Sequence, residues 1–352
     1  MSENIHFTHL SSGPGGLELL LPVVIKNMPD RSFSAFVIRS RHMKHSVYED
    51  MPVTIKYGSN RNIPAYFKTL MYAIKNRRSV FHVFNIGPVF LLLIKLAGAK
   101  NIIYSIHGTI YWKNRFGKWI FRFLWQIALL GKTTLVANSQ YSRNEFLKKI
   151  NSRVNIRVLY NPIDLNRFSP GKTFKSNREI LVIYSGRLEK GKNLPLWIET
   201  AAYLHEKIPG TRFEIYGEGS LKPLLQQQIA ELKAGDYIQM KGFRKDIEDV
   251  YRRSDAFLFL SEYESFGNVV IESVLCGTPV ITSPLPVMKE IFDGYPQFVL
   301  REGKDLKEQV LLKLLQLDQL EKLTNCVRES FIKRFSVEGH IKSLRKIYSE
   351  CE

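Results

Sequence analysis

Residues 261–281, SEYESFGNVVIESVLCGTPVI, decide how the rest of the chain is read. The run just before them, 255–260 (DAFLFL), has the length and apolar content of a buried strand. Gly267 opens a helix, and Gly277 stands where a helix C-terminal glycine belongs. Thr278-Pro279 forbids continuation, and Val280-Ile281 starts the next strand. Two carboxylates flank the helix start: Glu264 in the loop and Glu272 eight positions later. Full helical spacing would part them by about 12 Å, and less with Glu264 in a loop. Between them lie the backbone amides of Phe266, Gly267, Asn268 and Val269, at a helix start that leaves its first donors without intrahelical partners and so suits an anion. That order, carboxylate–amides–carboxylate, suits a nucleotide-sugar with ribose at one end, hexose at the other and diphosphate between. On spacing alone, a surface helix with two solvated glutamates remains open.

Residues 264–281 resemble the E-x7-E signature of retaining glycosyltransferases of glycosyltransferase family 4, which have the GT-B fold. The resemblance implies that Glu272 holds the ribose hydroxyls, that Glu264 faces the donor sugar, and that the loop amides touch sugar and phosphate. It also implies two Rossmann-like doubly wound α/β domains facing an interdomain cleft, with a C-terminal helix over 337–348 crossing back to the first domain. The expected domains are 1–168, acceptor-binding and joined by 337–352, and 169–336, donor-binding.

Taken in order, residues 1–168 alternate strands and helices in the doubly wound pattern. A strand over 5–10 leads into Gly13-Pro14-Gly15-Gly16, a turn that lets a phosphate approach the backbone. It is no GxGxxG match, and Gly15-Gly16-Leu17-Glu18 resembles the family's G-G-x-E element. A strand over 101–106 ends at His107, placed to face a ligand beyond the strand ends; the family often has a histidine here near the donor sugar. Asn161-Pro162-Ile163-Asp164 matches the family's hinge pattern, with a linker expected over 166–178. The second half restarts with a strand over 180–185, followed by Gly186-Arg187 and, further along the same turn, Lys192. Two cations on a glycine-bearing turn after a strand are placed to clamp a diphosphate, the alternative being two solvated loop cations. The family's G-R-x(4)-K element implies the clamp for Arg187 and Lys192. Gly242-Phe243 matches the family position whose backbone meets the nucleotide base. One departure is Ser283-Pro284-Leu285-Pro286, where many members have a glycine-rich turn toward the donor sugar.

The net charge of +18 is lopsided: residues 1–168 hold 24 Lys+Arg against 7 Asp+Glu, and the remainder 27 against 26. A one-sided excess points to an anionic partner on the first half. Residues 111–131, YWKNRFGKWIFRFLWQIALLG, interleave cations with aromatics in the manner of an interfacial membrane helix, while an ordinary amphipathic helix covering the sheet fits as well. The three cysteines form no disulfide or metal pattern, and no leader or membrane-spanning run is read. The expectation is a metal-independent hexosyltransferase without cofactor, with a UDP-sugar ahead of a GDP-sugar as donor. Its catalytic set is His107, Glu264, Arg187 and Lys192, and Gly15, Gly16, Gly186, Gly242, Phe243, Phe266, Gly267, Asn268, Val269 and Glu272 bind the donor. A glycan or polyprenyl-diphosphate-linked acceptor is expected at the cytoplasmic face of the cell membrane, reached through the basic first half, in bacterial surface polysaccharide synthesis. The rival readings are a nucleotide-sugar epimerase or hydrolase of the same fold, and a non-catalytic basic nucleic-acid-binding protein.

Overall fold

A computed structural model describes residues 4–10, 20–39, 48, 51–108, 115–150, 153–171 and 179–352. The chain forms two compact units, Met1–Pro162 with Val337–Glu352, and Ile163–Ser336. The first unit runs β1 (Ile5–His9), α1 (Leu20–Lys26), β2 (Phe33–Val37), β3 (Thr54–Tyr57), α2 (Asn62–Lys75), β4 (Val80–Phe84), α3 (Pro88–Leu96), β5 (Ile102–Ile106), α4 (Arg115–Ala128), β6 (Thr134–Ala137), α5 (Gln140–Lys149) and β7 (Ile156–Val158). Its seven strands are all parallel, in the order β3-β2-β1-β4-β5-β6-β7. The central strands are buried along their whole length, as a sheet covered on both faces requires. One core forms under α2, α3, α4 and α5, the other under α1. Ser139 caps α5, its hydroxyl accepting the Ser142 N–H at 2.9 Å.

The second unit runs β8 (Leu181–Ser185), α6 (Leu194–Lys207), β9 (Arg212–Tyr216), α7 (Lys222–Glu231), β10 (Ile238–Gly242), α8 (Ile247–Arg253), β11 (Ala256–Phe259), α9 (Asn268–Leu275), β12 (Val280–Thr282) and α10 (Pro286–Ile291), followed by α11 (Leu306–Leu314) and α12 (Leu317–Arg334). Its five parallel strands lie in the order β10-β9-β8-β11-β12. The last helix, α13 (Val337–Cys351), belongs to the first unit. Ile341, Leu344, Ile347, Tyr348 and Cys351 enter the core under α1, and the Tyr348 hydroxyl meets His82 Nδ1 at 2.8 Å.

Two helices carry a proline near their start, and one domain boundary differs from the sequence reading. Pro195 sits in the first turn of α6, where its missing N–H is not needed. Pro64 likewise lies in the first turn of α2. Residues 163–168 belong to the second unit, where the Arg167 side chain bonds Glu248 and the Arg252 guanidinium bonds the carbonyls of Arg167 and Ser169 at 2.8 Å each.

Candidate functional site

Strands β8 and β11 lie side by side at the centre of the second sheet, and their connections depart in opposite directions, to β9 and to β12. Where sheet order reverses in this way, the two outgoing loops part and leave a crevice beyond the strand ends. The loop after β8 carries Gly186, Arg187 and Lys192, and the loop after β11 carries Glu264 to Gly267.

The two loops are fastened together. The Glu262 N–H donates to the Gly191 carbonyl at 2.9 Å, and the Tyr263 hydroxyl donates to the Lys190 carbonyl at 3.0 Å. Gly191, at φ +91°, lies under the Tyr263 ring, where a Cβ would come within 2.2 Å of a ring carbon. The rim extends across the sheet: the Gly186 N–H donates to the Tyr216 carbonyl at 3.0 Å, and the Gly217 N–H to the Gly242 carbonyl at 2.9 Å. Phe243, next to Gly242, is exposed.

This fastening brings Lys192 and Glu264, 72 positions apart, into an ion pair of half-buried side chains. The second Glu264 oxygen accepts the Ser265 N–H at 3.0 Å, so the carboxylate is held at both ends. The Lys192 ammonium also stands 5.5 Å from the centre of the Phe259 ring. An ammonium has three donors, so one bond to Glu264 leaves two for another anion. Arg187 is exposed and, among the described residues, makes no ion pair. Its carbonyl accepts from the Tyr184 hydroxyl at 3.1 Å, which fixes the turn while leaving the guanidinium at the surface.

Gly267 takes φ +98° and ψ 53° immediately before α9, and a Cβ there would come within 2.6 Å of Met288 Cε. A side chain would therefore be strained in backbone and crowded in space. Phe266 is buried, its ring 5.6 Å from that of Phe335, so what it offers a ligand is backbone. Asn268 and Val269 form the first turn of α9. Ser283 ties the neighbouring loop down by donating its hydroxyl to the Ser261 carbonyl at 2.6 Å.

Glu272 lies one turn into α9, only partly exposed. Burial pushes its carboxyl up to about 7, partly opposed by the charge of Arg167 and by the Tyr251 hydroxyl, which donates to it at 3.4 Å. Tyr251 in turn lies 2.5 Å from the Ser185 hydroxyl at the end of β8. Neither Tyr251 nor Tyr263 was picked out in the sequence, because each acts across a sheet and carries no local signature. A carboxyl held near neutrality is half charged and suits accepting from, or donating to, a ligand hydroxyl.

In the first unit, His107 follows β5, and its ring stands 5.8 Å from that of Phe84. Burial, with the nearby His340, lowers its pKa to about 3, so the imidazole is neutral across the physiological range. Gly108 packs against the side chain of Asn85 from the end of β4. Gly15 and Gly16 lie outside the described residues. Among the described residues no cluster of His, Cys, Asp and Glu is arranged to hold a metal ion.

Two parallel α/β units with ligand-type loops at the carboxyl ends of their strands define the GT-B class of fold. Anabaena HepE, solved in complex with UDP and glucose, shares it with a TM-score of 0.82 at 19% identity, over 99% of this chain and 100% of that one. The model of glycosyltransferase family 4 matches residues 14–167, and that of the glycosyl transferases group 1 matches residues 166–329. Together the two models span residues 14–329, and the chain is related to the GT-B glycosyltransferases of these families. Among curated relatives, the UDP-N-acetylglucosamine–peptide N-acetylglucosaminyltransferase GtfA subunit of Streptococcus pneumoniae is 30% identical over 40% of this chain and 29% of its own length. The N-acetylgalactosamine-N,N'-diacetylbacillosaminyl-diphospho-undecaprenol 4-alpha-N-acetylgalactosaminyltransferase of Campylobacter jejuni is 28% identical over 61% of this chain and 60% of its own length. The chain thus spans less than two thirds of either relative.

Proposed function

We propose that this chain is a retaining glycosyltransferase that moves a hexose or N-acetylhexosamine from a UDP-sugar to a hydroxyl of a glycan or polyprenyl-diphosphate-linked acceptor. The observation that carries the reading is the convergence of Lys192 and Glu264 at the switch point of the second sheet, beside the start of α9 and the perturbed carboxyl of Glu272. The second unit is the donor-binding one. Arg187, Lys192 and the amides of residues 266–269 take the diphosphate, Glu264 the sugar and Glu272 the ribose, while the backbone at Gly242 and Phe243 meets the base. In the first unit Gly15 and Gly16 are assigned to donor binding and His107 to the donor sugar, its neutral imidazole offering a hydrogen bond rather than a charge.

In the transfer, the bond from the anomeric carbon to the diphosphate oxygen breaks and a bond from the acceptor oxygen forms on the same face. The acceptor proton passes to the departing phosphate oxygen. Negative charge grows on that phosphate, and the cations Arg187 and Lys192 with the helix-start amides are pre-positioned to stabilise it. Glu264, pinned by Lys192 and Ser265, orients the sugar without becoming bonded to it.

The lipid-linked acceptor of the Campylobacter relative and the positive excess of residues 1–168 both favour work at an anionic membrane surface, on its cytoplasmic face, in surface polysaccharide synthesis. The test is a panel of UDP-glucose, UDP-galactose, their N-acetylated forms and GDP-mannose, each offered with a polyprenyl-diphosphate-linked sugar. Transfer from a UDP-sugar with an α-linked product is expected. Donor consumption that proceeds equally without acceptor would overturn the transferase reading in favour of an epimerase or hydrolase.

A further inference from the structure

Helices α2, α3 and α4 lie in a row on one face of the first sheet, with α3 touching both neighbours. Helices α2 and α4 each turn a second apolar surface away from the core. On α2, Ala65, Thr69 and Ala73 are buried, while Ile63, Phe67, Met71 and Ile74 form a stripe pointing the other way, Ile63 81% and Phe67 64% exposed. On α4, Trp125 and Ala128 face the core, while Trp119 (66% exposed), Phe123 and Ile127 face out, and Leu130 just beyond the helix continues the line. The rings of Trp119 and Phe123 stack 5.9 Å apart at 6°. Between the stripes, α3 packs Leu92 and Leu93 against the core and leaves Val89 half-buried and Leu96 77% exposed. An ordinary surface helix carries its polar residues where α2 and α4 carry apolar ones.

The sequence around this face is one-sided. Residues 51–144 contain 14 Lys+Arg and no Asp or Glu. Lys68 and Lys75 border the α2 stripe, and Lys118 and Arg122 border the α4 stripe, all exposed. Lys95 of α3 reaches the Leu130 carbonyl at 2.7 Å, tying the end of α3 to the end of α4. A broad apolar face marks an interaction site. A rim with no acid in it selects an anionic partner, and aromatics beside cations suit the headgroup boundary. No helix among the described residues is long and apolar enough to cross a membrane, so contact would be from one side.

We propose that the outer face of α2, α3 and α4 is the surface on which the protein lies against an anionic lipid bilayer, Phe67, Met71, Trp119 and Phe123 entering the headgroup layer while the bordering cations engage lipid charge. This deepens the membrane placement proposed above, assigns it to three helices rather than to the residue 111–131 stretch alone, and is independent of the transfer chemistry.

The experiment is sedimentation of the full chain with vesicles of phosphatidylcholine alone or with 30 mol% phosphatidylglycerol (a level of about that size), salt titrated, no substrate present. Wild type is expected to partition to the anionic vesicles and to be released by salt. A Phe67→Ser/Met71→Ser variant, altered only on α2, and a Lys118→Glu/Arg122→Glu variant should each lose about tenfold or more in partitioning. Both should keep the thermal midpoint and the UDP-sugar turnover of wild type. Charge-dependent binding that both variants retain would refute this surface while leaving the membrane placement standing. If wild type ignores anionic vesicles and instead forms a dimer that the α2 variant abolishes, the face pairs with a second copy and the proposal is overturned.

Discussion

Replacing Glu272 by glutamine separates what this residue costs the fold from what it gives the site. Burial raises the folded carboxyl from 4.5 to about 7, so the native state holds this proton more tightly than the unfolded chain does. The sign follows: below about pH 4.5 both states are protonated and the group costs nothing. As pH rises toward 7 the unfolded state ionises freely and the folded one does not, and above 7 the cost levels off. A shift of that size corresponds to about 3 kcal/mol as an upper figure. Glutamine keeps the volume and an acceptor for the Tyr251 hydroxyl, which now donates at 3.4 Å. The Glu272→Gln protein should therefore match wild type in stability near pH 4.5 and exceed it by about 2–3 kcal/mol at pH 8. It should also lose UDP-sugar affinity by about 1.5–3 kcal/mol, the worth of a charged hydrogen bond to a hydroxyl. Urea unfolding at the two pH values, followed by amide exchange in β8 and β11, reads the first effect, and titration calorimetry with UDP reads the second. A stability gain equal at both pH values, or unchanged UDP affinity, would refute the reasoning.

Other perturbations address the loops and the first unit. Lys192→Ala leaves the half-buried Glu264 without its ion partner and should lower kcat by about a hundredfold or more, as removal of a charge stabiliser does, with UDP affinity falling less; transfer at the wild-type rate would refute the assignment. Gly191→Ala forces a Cβ onto the Tyr263 ring at φ +91° and should lower both thermal midpoint and turnover, whereas Tyr263→Ala/Gly191→Ala should recover part of the midpoint but not the turnover. In the first unit, burial holds His6 and His340 near 4 and His107 near 3, so charging them on acidification favours the unfolded chain. That unit should lose stability as pH falls below about 6.5, while Glu272 shifts the second unit the opposite way; amide exchange at pH 5 and 7, resolved by unit, checks the divergence. Tyr348→Phe removes a buried hydroxyl partner of His82 and should destabilise the first unit by about 1–3 kcal/mol in urea unfolding.

Much of this was legible in the sequence because the deciding signals are local. Gly267 and Gly277 bracket α9, and both adopt positive φ, so the glycines mark backbone conformations rather than mere flexibility. Val80–Phe84 and Ile102–Ile106 announce themselves as apolar runs because both sheet faces are covered. What stayed hidden is whatever depends on position within a helix or on contact across a sheet. Pro195 and Pro64 look like stops unless they are known to occupy a first turn. The ion pair of Lys192 with Glu264 depends on β8 and β11 being neighbours, which strand order sets and no motif states. The outward stripe on α2 is hidden likewise, since apolar spacing does not say which of two apolar faces meets the sheet.

The most direct measurement of the central claim is a crystal structure of the chain with a UDP-sugar bound. The diphosphate should lie at the start of α9 within hydrogen-bond reach of Arg187 and Lys192, with the ribose hydroxyls on Glu272 and the sugar on Glu264. A nucleotide bound away from the ends of β8 and β11, or one whose phosphates contact neither cation, would contradict it.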